Sequence, residues 1–584
     1  MEHSAGETTS RTRHDAEGDR ESSSPHRNFR ADEQAILSAE FDFRPKGWEN
    51  VLCRHTVIPD FVSNGGVVFT AATYADAVKA ADELGIRSRL RDVTLIRRPA
   101  IISRLSERYE GTLTERSTKG LREKAPEHSA ATGFPIWMRF GWCLIAILLV
   151  AALVASPFAT MLNLWLICLP YFTATMLLRA YLLFSAERET VVLPTVPKKR
   201  PVVSILVPVY READSLPALI RALEMLDYPR RSLDIKILLE QNDADTIMEA
   251  RWLTAGSHIN CLVVPPSEPR TKPKAMNFAL PFARGEIIGI FDAEDAPQPD
   301  QINKAVAALE AAGDDVVCAQ ARLSHYNPDD NLLTRCVAME YALWFDMLLK
   351  GLSRARLPVP LGGTSLYFKT DVLREIGGWD PDNVTEDADL GLRLARAGKR
   401  AVVFDSTTHE EATGSAIAWI RQRSRWIKGF MLTWAVHMRD PARLARELGL
   451  VPMLAINVLL LDGFLSFLMQ PVMVLSGILA LTMESPPWME VLGAPGVGIL
   501  LVVLFGGQLL LLGGAFVAGY RRFGFRVAAC APLLWPYWMM GGVAAMLALV
   551  QLVTRPQFWE KTVHCVSPVA RKRRAAVLGV SDGD

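Results

Sequence analysis

The chain has few cysteines and no pattern for pairing them: eight, at positions 53, 143, 168, 261, 318, 336, 530 and 565, with no CxxC and no Cys/His spacing of a zinc site. That excludes a disulfide framework or a zinc ribbon and leaves free, buried thiols in a reducing compartment. An excess of charge is missing too. Lys and Arg total 64 against 63 Asp and Glu, a net charge of +1, so global charge argues for no nucleic-acid partner. Residues 1–34 lack the apolar core of a signal peptide; they are polar, charged and rich in Ser and Arg. Too poor in apolar surface to fold alone, this segment is predicted to be a disordered tail.

What the chain does have is length and apolar residues. At 584 residues it is too long for one ordinary domain, so two or three folded parts are expected, and 50% of its residues are hydrophobic. Those residues concentrate in two blocks. Phe140 to Phe158 and Met161 to about Leu178 are apolar runs with almost nothing between them. Each approaches the ~20 residues that span a bilayer, so a transmembrane hairpin over 135–184 is predicted, the alternative being a buried helical hairpin in a soluble core. Arg139 precedes the hairpin, and Arg179, Arg188, Lys198, Lys199 and Arg200 follow it. Basic residues at both open ends place both in the cytoplasm. The second block, 450–555, carries runs at about 451–482, 496–518 and 530–553, the first interrupted by Asp462 and Pro471. Three spans would leave the tail (556–584) outside, yet Arg571-Lys572-Arg573-Arg574 argues for inside. Either the first run crosses twice or the tail breaks the rule.

The other segments read as soluble. Over 35–125 a small α+β domain of regulatory type is expected. Its strands are Val67–Thr70 and Asp92–Ile96, and its helices Tyr74–Leu84 and Pro99–Tyr109. This pattern loosely resembles the small N-terminal domain of secretion and pilus ATPases, a module that in some members binds cyclic di-GMP; that module's Arg-Leu-Gly motif is absent here. Residues 190–440 alternate strand patterns (Val202–Val209, Ile235–Leu239, Asn260–Val264, Glu286–Phe291, Val316–Ala321, Ala401–Phe404) with helical stretches such as Ser215–Met225, Ala275–Phe282 and Gln301–Ala311. Alternation of this kind implies an α/β fold with a mainly parallel sheet covered on both faces, whose ligands bind beyond the carboxyl ends of the strands.

Polar groups gather at those ends. Tyr210-Arg211-Glu212 follows the first strand, and Glu240-Gln241-Asn242-Asp243 the second. They suit a base and ribose, or are ordinary loop residues. Phe291-Asp292-Ala293-Glu294-Asp295 delivers three acids in four residues at the exit of a buried strand. Such acids raise one another's pKa unless a cation neutralises them, and oxygen-only ligands suit Mg²⁺ or Mn²⁺; the alternative is a solvated turn before Pro297. Thr271-Lys272-Pro273-Lys274 puts two lysines at a helix start, an anion site or a surface loop. Thr385-Glu386-Asp387 opens a helix, with Thr385 as its N-cap. Acids there suit the helix dipole, or Asp387 is a general base. In Gln422-Arg423-Ser424-Arg425-Trp426, residues 422, 425 and 426 share one helix face. Arginine can clamp phosphate and tryptophan can stack on a sugar, though an interfacial amphipathic helix would use the same residues.

Taken in order, Val207-Pro208-Val209-Tyr210, Asp292-Ala293-Glu294-Asp295, Thr385-Glu386-Asp387 and Gln422-Arg423-Ser424-Arg425-Trp426 resemble the membrane-embedded, processive family 2 glycosyltransferases, the group of bacterial cellulose, curdlan, chitin and hyaluronan synthases, over roughly residues 135–560. The resemblance implies a GT-A type nucleotide-sugar-binding domain with an interfacial helix, inserted between transmembrane helices of the inner (cytoplasmic) membrane and facing the cytoplasm. It implies metal-dependent, inverting transfer from a UDP-sugar to a growing β-linked polysaccharide, coupled to export through the bilayer. By position, Glu212, Glu240 or Asp243 would meet the nucleoside and Lys274 the diphosphate. Asp292 with Glu294 or Asp295 would hold Mg²⁺ or Mn²⁺, and Asp387 would be the base. Glu386, Gln422, Arg423, Arg425 and Trp426 would line the diphosphate and acceptor side, with Gly363 and Thr364 in the acceptor loop. The competing functions are single-sugar transfer to a lipid-linked acceptor and a catalytically weak membrane signalling protein.

Overall fold

A computed structural model of the chain describes residues 48–61, 66–187, 195–482, 493, 495–499 and 502–555. The tails expected at 1–34 and 556–584, and part of the apolar run at 496–518, lie outside the described residues. Two compact units divide at Ile101.

In the first unit, α1 (Glu49–His55), β1 (Val57–Phe61), β2 (Val67–Ala71), α2 (Tyr74–Glu83) and β3 (Leu90–Leu95) build a three-stranded sheet in the order β1-β2-β3. β2 pairs antiparallel with β1 and parallel with β3. The α2 N-terminus is capped by Thr73, whose Oγ1 accepts from the Asp76 amide at 3.1 Å. Helix α3 (Glu110–Lys124), inside the bounds 35–125 expected of the small domain, belongs to the second unit. Its Leu113, Ser117 and Leu121 are buried, Asn277 Nδ2 donates to the Ser117 carbonyl (3.3 Å) and Lys124 Nζ to that of Glu375 (2.5 Å).

The second unit is built on an eight-stranded sheet: β4 (Val203–Val209), β5 (Leu233–Glu240), β6 (Asn260–Val264), β7 (Ile287–Ile290), β8 (Ala296–Pro297), β9 (Val316–His325), β10 (Leu366–Lys369) and β11 (Arg400–Glu410), in the order β6-β5-β4-β7-β10-β9-β11-β8. Strands β6, β5, β4 and β7 are parallel, as expected of near-continuous apolar runs buried on both faces. The sheet is mainly parallel as expected, except that β10 inserts antiparallel to both β7 and β9 and β8 lies antiparallel to β11; β9 and β11 resume the direction of β7. Four residues long and preceded by Gly362-Gly363-Thr364-Ser365, β10 carries no periodic signal of its own. The core joins Ile205, Ile237, Phe291, Ile302 and Tyr367, all nearly inaccessible.

Four described helical segments are long and apolar enough to cross a membrane: Ile136–Ala155, Leu162–Glu187, Leu450–Met469 and Phe525–Thr554. The first two belong to α4 (Ile136–Ala155) and α5 (Pro157–Glu187), which turn at Ser156. The run at 451–482 forms one uninterrupted helix, α11 (Leu450–Thr482). Its Asp462 pairs with Arg179 of α5 and accepts from Ser466 Oγ at 2.5 Å, so the charge that breaks the apolar pattern is satisfied between helices. The sheet is tied to these helices at close range. α8 (Leu349–Arg354) crosses α5 at Gly351, where a Cβ would stand 2.3 Å from the Leu182 carbonyl oxygen.

Candidate active site

At the carboxyl ends of β4, β5 and β7 a cavity of about 470 Å³ opens. Its wall runs from Glu212 and Glu240 past Asp292, Glu386 and Asp387 to Gln422, Arg425 and Trp426, and on to Arg179, Asp462 and Ser466 of the membrane-length helices. Volume and position are those of a small-molecule site in an open α/β sheet.

Several candidate residues meet here. β7 ends at Ile290, so Asp292 and Glu294 emerge into the cavity. Asp295 turns back: it is fully buried, and its Oδ2 accepts from the Asp292 amide (2.8 Å) and the Thr364 hydroxyl. It therefore braces the loop behind the two acids facing the cavity. Helix α9 (Glu386–Arg396) presents Glu386 and Asp387 in its first turn. Asp387 accepts from the Ala388 amide at 2.8 Å and from the Gly363 amide, which ties the Gly-Gly loop to the helix start. Thr385 occupies the N-cap position, but its side chain makes no cap hydrogen bond; its hydroxyl pairs with Thr433 Oγ1 at 3.2 Å. The partner lies on α10 (Ala416–His437), which comes close because residue 429 is glycine. A Cβ there would be 2.3 Å from Thr385 Cγ2.

The two lysines at the start of α6 (Lys272–Ala279) go to different places. Two residues apart on a helix, they face different sides. Lys274 is buried and donates to both Glu240 oxygens (3.1 and 3.0 Å) and to the Pro265 carbonyl (2.7 Å). Burial favours the neutral form of each partner, raising Glu240 and lowering Lys274. Lys272 instead enters the acid cluster, donating to Asp292 Oδ1 (2.5 Å) and the Gly363 carbonyl (2.7 Å). The lysine nearest the acids is thus not the one assigned to the diphosphate by resemblance. Asp243 is not on the cavity wall: it caps the helix Ala244–Leu253, accepting from Thr246 N at 3.4 Å, and receives the Arg211 amide.

Electrostatically the site is short of positive charge. Burial raises Asp292 and Asp387 above the usual carboxylate range, and burial with Asp387 beside it pushes Glu386 up to about 8. Burial lowers Arg425, while the charges of Glu386, Asp387 and Asp292 act the other way. Acids held in this state gain from a further cation or from a ligand that brings one. Among the described residues no group of three or more His, Cys, Asp or Glu is arranged to hold a metal ion alone. Asp292 and Glu294 at the cavity wall, with raised acids around them, fit a cation whose remaining ligands come from a diphosphate, the usual manner for Mg²⁺.

In α10 the face carrying Gln422, Arg425 and Trp426 lines the cavity as the helical spacing requires. The Trp426 ring lies 6.2 Å from that of Tyr341, and Tyr341 lies 4.3 Å from His325. Arg423 borders the same cavity but is engaged by Glu340. The sequence offers Lys272 only as one of two lysines at a candidate anion site, and it carries no signal for Glu340 or Tyr341.

Residues 200–429 match the family model described as glycosyltransferase like family 2. The chain carries a family 2 glycosyltransferase domain. The match covers the strand ends, the acid clusters and the Gln422–Trp426 face of the cavity but not its wall on α5 and α11, and the mixed sheet covered by helices is of GT-A-like kind. Similar curated proteins are a probable glycosyltransferase, YdaM, of Bacillus subtilis (26% identical over 40% of this chain and 56% of that protein), a beta-monoglucosyldiacylglycerol synthase of Trichormus variabilis (29%, over 39% and 49%), and a probable glucomannan 4-beta-mannosyltransferase of Arabidopsis thaliana (27%, over 40% and 43%). The chain spans about half the length of these relatives. A mannosyltransferase of Pyrobaculum calidifontis, solved with GDP-mannose and Mn²⁺, matches at 20% identity and a TM-score of 0.41, covering 67% of this chain and 99% of that one.

Proposed function

We propose that the protein is a membrane-embedded, inverting glycosyltransferase that adds sugars from a nucleotide sugar, UDP-linked, to a growing β-linked polysaccharide, processively and with export. The observation that carries this is the continuity of one cavity from the β4 and β7 strand ends, through Asp387 and the face of Gln422, Arg425 and Trp426, to the membrane-length helices α5 and α11. A donor bound at the strand ends would meet an acceptor held at the bilayer side.

In this reading Glu212 and Glu240 border the nucleoside, and Lys272 with Arg425 takes the diphosphate, whose negative charge grows as it leaves. Asp387, held by two amides, removes the proton from the attacking acceptor hydroxyl, a contribution of typically ~10²–10⁴-fold. Trp426 offers its face to the acceptor sugar. Asp292 and Glu294 would hold Mg²⁺ or Mn²⁺, which supplies Lewis-acid neutralisation of the diphosphate when bound. The domain would face the cytoplasm of the inner membrane.

A second reading, transfer of one sugar to a lipid acceptor, draws on the diacylglycerol-acting relative and on a cavity wall shared with α5 and α11. Purified protein in detergent is tested with radiolabelled UDP-glucose, UDP-GlcNAc, UDP-GlcA and GDP-mannose and Mg²⁺ or Mn²⁺. High-molecular-weight product supports the polymerase reading. Label confined to a chloroform-extractable product replaces it with the lipid reading, and no transfer from any donor removes both.

A further inference from the structure

Arg423, the second residue of the Gln-Arg-Ser-Arg-Trp motif, does not share the direction of its neighbours. Its guanidinium forms an ion pair with Glu340 of α7 (Leu332–Ala342). It lies 4.5 Å from the centre of the Trp426 ring and 5.3 Å from that of Trp419, one turn away on either side along α10. Glu340 collects two further donors from the last described membrane-length helix, α12 (Leu534–Thr554): Tyr537 Oη at 2.6 Å and Trp538 Nε1 at 3.2 Å. Trp419 Nε1 in turn donates to Tyr537 Oη at 2.8 Å. The next residue, Tyr341, faces Trp426 from the other element, and after it the helix winds into a π turn, Leu343–Leu348. Single π turns recur at functional sites because they shift the register of the side chains around them.

We propose that Glu340 is a positioning residue for glycosyl transfer. By holding Arg423 against Trp426 it sets the plane of the indole, and by binding Tyr537 and Trp538 it locks that plane to the last membrane helix. Arg423 then serves the acceptor wall and makes no diphosphate contact. Guanidinium stacking on an indole needs a fixed, planar cation, and a three-donor carboxylate is a means of fixing it. The inference rests on the transferase reading above and adds to it a residue outside every motif of the sequence.

The test measures steady-state kinetics for the full-length protein in detergent, with donor affinity followed separately by calorimetry with UDP. Glu340→Gln and Arg423→Lys should each lower kcat about 10²-fold, the scale of a displaced acceptor wall, with donor KM and UDP affinity within about threefold of wild type. The double variant should be no worse than either single one, because both break one link. Tyr537→Phe removes one donor to Glu340, together with the acceptor of Trp419 Nε1, and should lose about three- to tenfold in kcat. It keeps the question open to test where Glu340→Gln does not yield folded protein. A kcat within twofold of wild type in Glu340→Gln or, failing that, in Tyr537→Phe overturns the proposal. So do additive losses in the double variant, or UDP affinity that falls in step with kcat. A wild type that transfers no sugar fails the transferase reading instead, so the two failures are told apart.

Discussion

Lys272 and Lys274 make the sharpest test of the site, since they are two residues apart and only one reaches the acid cluster. In Lys272→Met the ammonium that donates to Asp292 Oδ1 and the Gly363 carbonyl is replaced by a thioether of similar length. Two effects add. With Lys272 as the proposed diphosphate contact, the donor would lose a charge-assisted hydrogen bond, about 1.5–3 kcal/mol, which is roughly 10- to 150-fold in affinity at 1.4 kcal/mol per decade. Asp292, Glu386 and Asp387 also lose their neighbouring cation, so the raised acids rise further and Asp387 is less available as a base. Lys274→Met acts elsewhere, leaving Glu240 buried without its partner, a loss of about 3–5 kcal/mol in stability. The assay is UDP-sugar affinity by calorimetry, kcat/KM for transfer and thermal unfolding in the same detergent. Lys272→Met should fold near wild-type stability with affinity and kcat/KM lost, and Lys274→Met should unfold early. Loss of donor affinity in Lys274→Met at unchanged melting temperature, with Lys272→Met unimpaired, would refute the reasoning.

Other expectations follow from the same geometry. Asp387→Asn should lower turnover about 10²–10⁴-fold while UDP still binds, and one of its two amide contacts must be lost; unchanged turnover removes Asp387 as base. Glu386, pushed up to about 8, is neutral below that pH and anionic above it, so without added divalent cation the affinity for UDP should fall as pH rises through about 8. A Glu386→Gln titration should be flat there. Asp380, pushed up to about 7 by burial and by Asp389, binds its proton more tightly folded than unfolded. The stability this confers is complete below the unfolded value and is lost as pH rises to about 7, at most about 4 kcal/mol. Melting curves of wild type and Asp380→Asn should therefore diverge between pH 4 and 7. Gly429→Ala puts a Cβ against Thr385 and should cost about 1–3 kcal/mol by overpacking, with activity falling more than stability because the start of α9 moves; the two are compared by melting and turnover.

Much of the fold is legible in the sequence because burial on both faces leaves unmistakable runs. Asn260–Val264 and Gln301–Ala311 form the elements expected of them, and Val203–Val209 and Leu233–Glu240 differ only at their ends. The acid clusters lie at strand ends and a helix start, where the chain must leave regular structure. Their approach to one another could not be read. β10 is four residues with no period and runs against both its neighbours, and it is the loop before it that brings Gly363 between Lys272 and Asp387. Nothing along the chain separates Asp295 from Glu294 as a ligand-facing acid; the Thr364 hydroxyl, which holds Asp295 inward, does.

The sequence by itself determined the kinds of chemistry present: acids after buried strands, lysines and acids at helix starts, an Arg-Trp face, and apolar runs long enough for a bilayer. These are properties of neighbours along the chain, set by periodicity and by what a strand or helix end exposes. Which lysine meets the acids, which arginine turns away, and that the site opens toward α5 and α11 were decided by tertiary structure alone. Each depends on contacts between residues far apart along the chain, such as Arg423 with Glu340 and Arg179 with Asp462, and no local pattern encodes such a meeting.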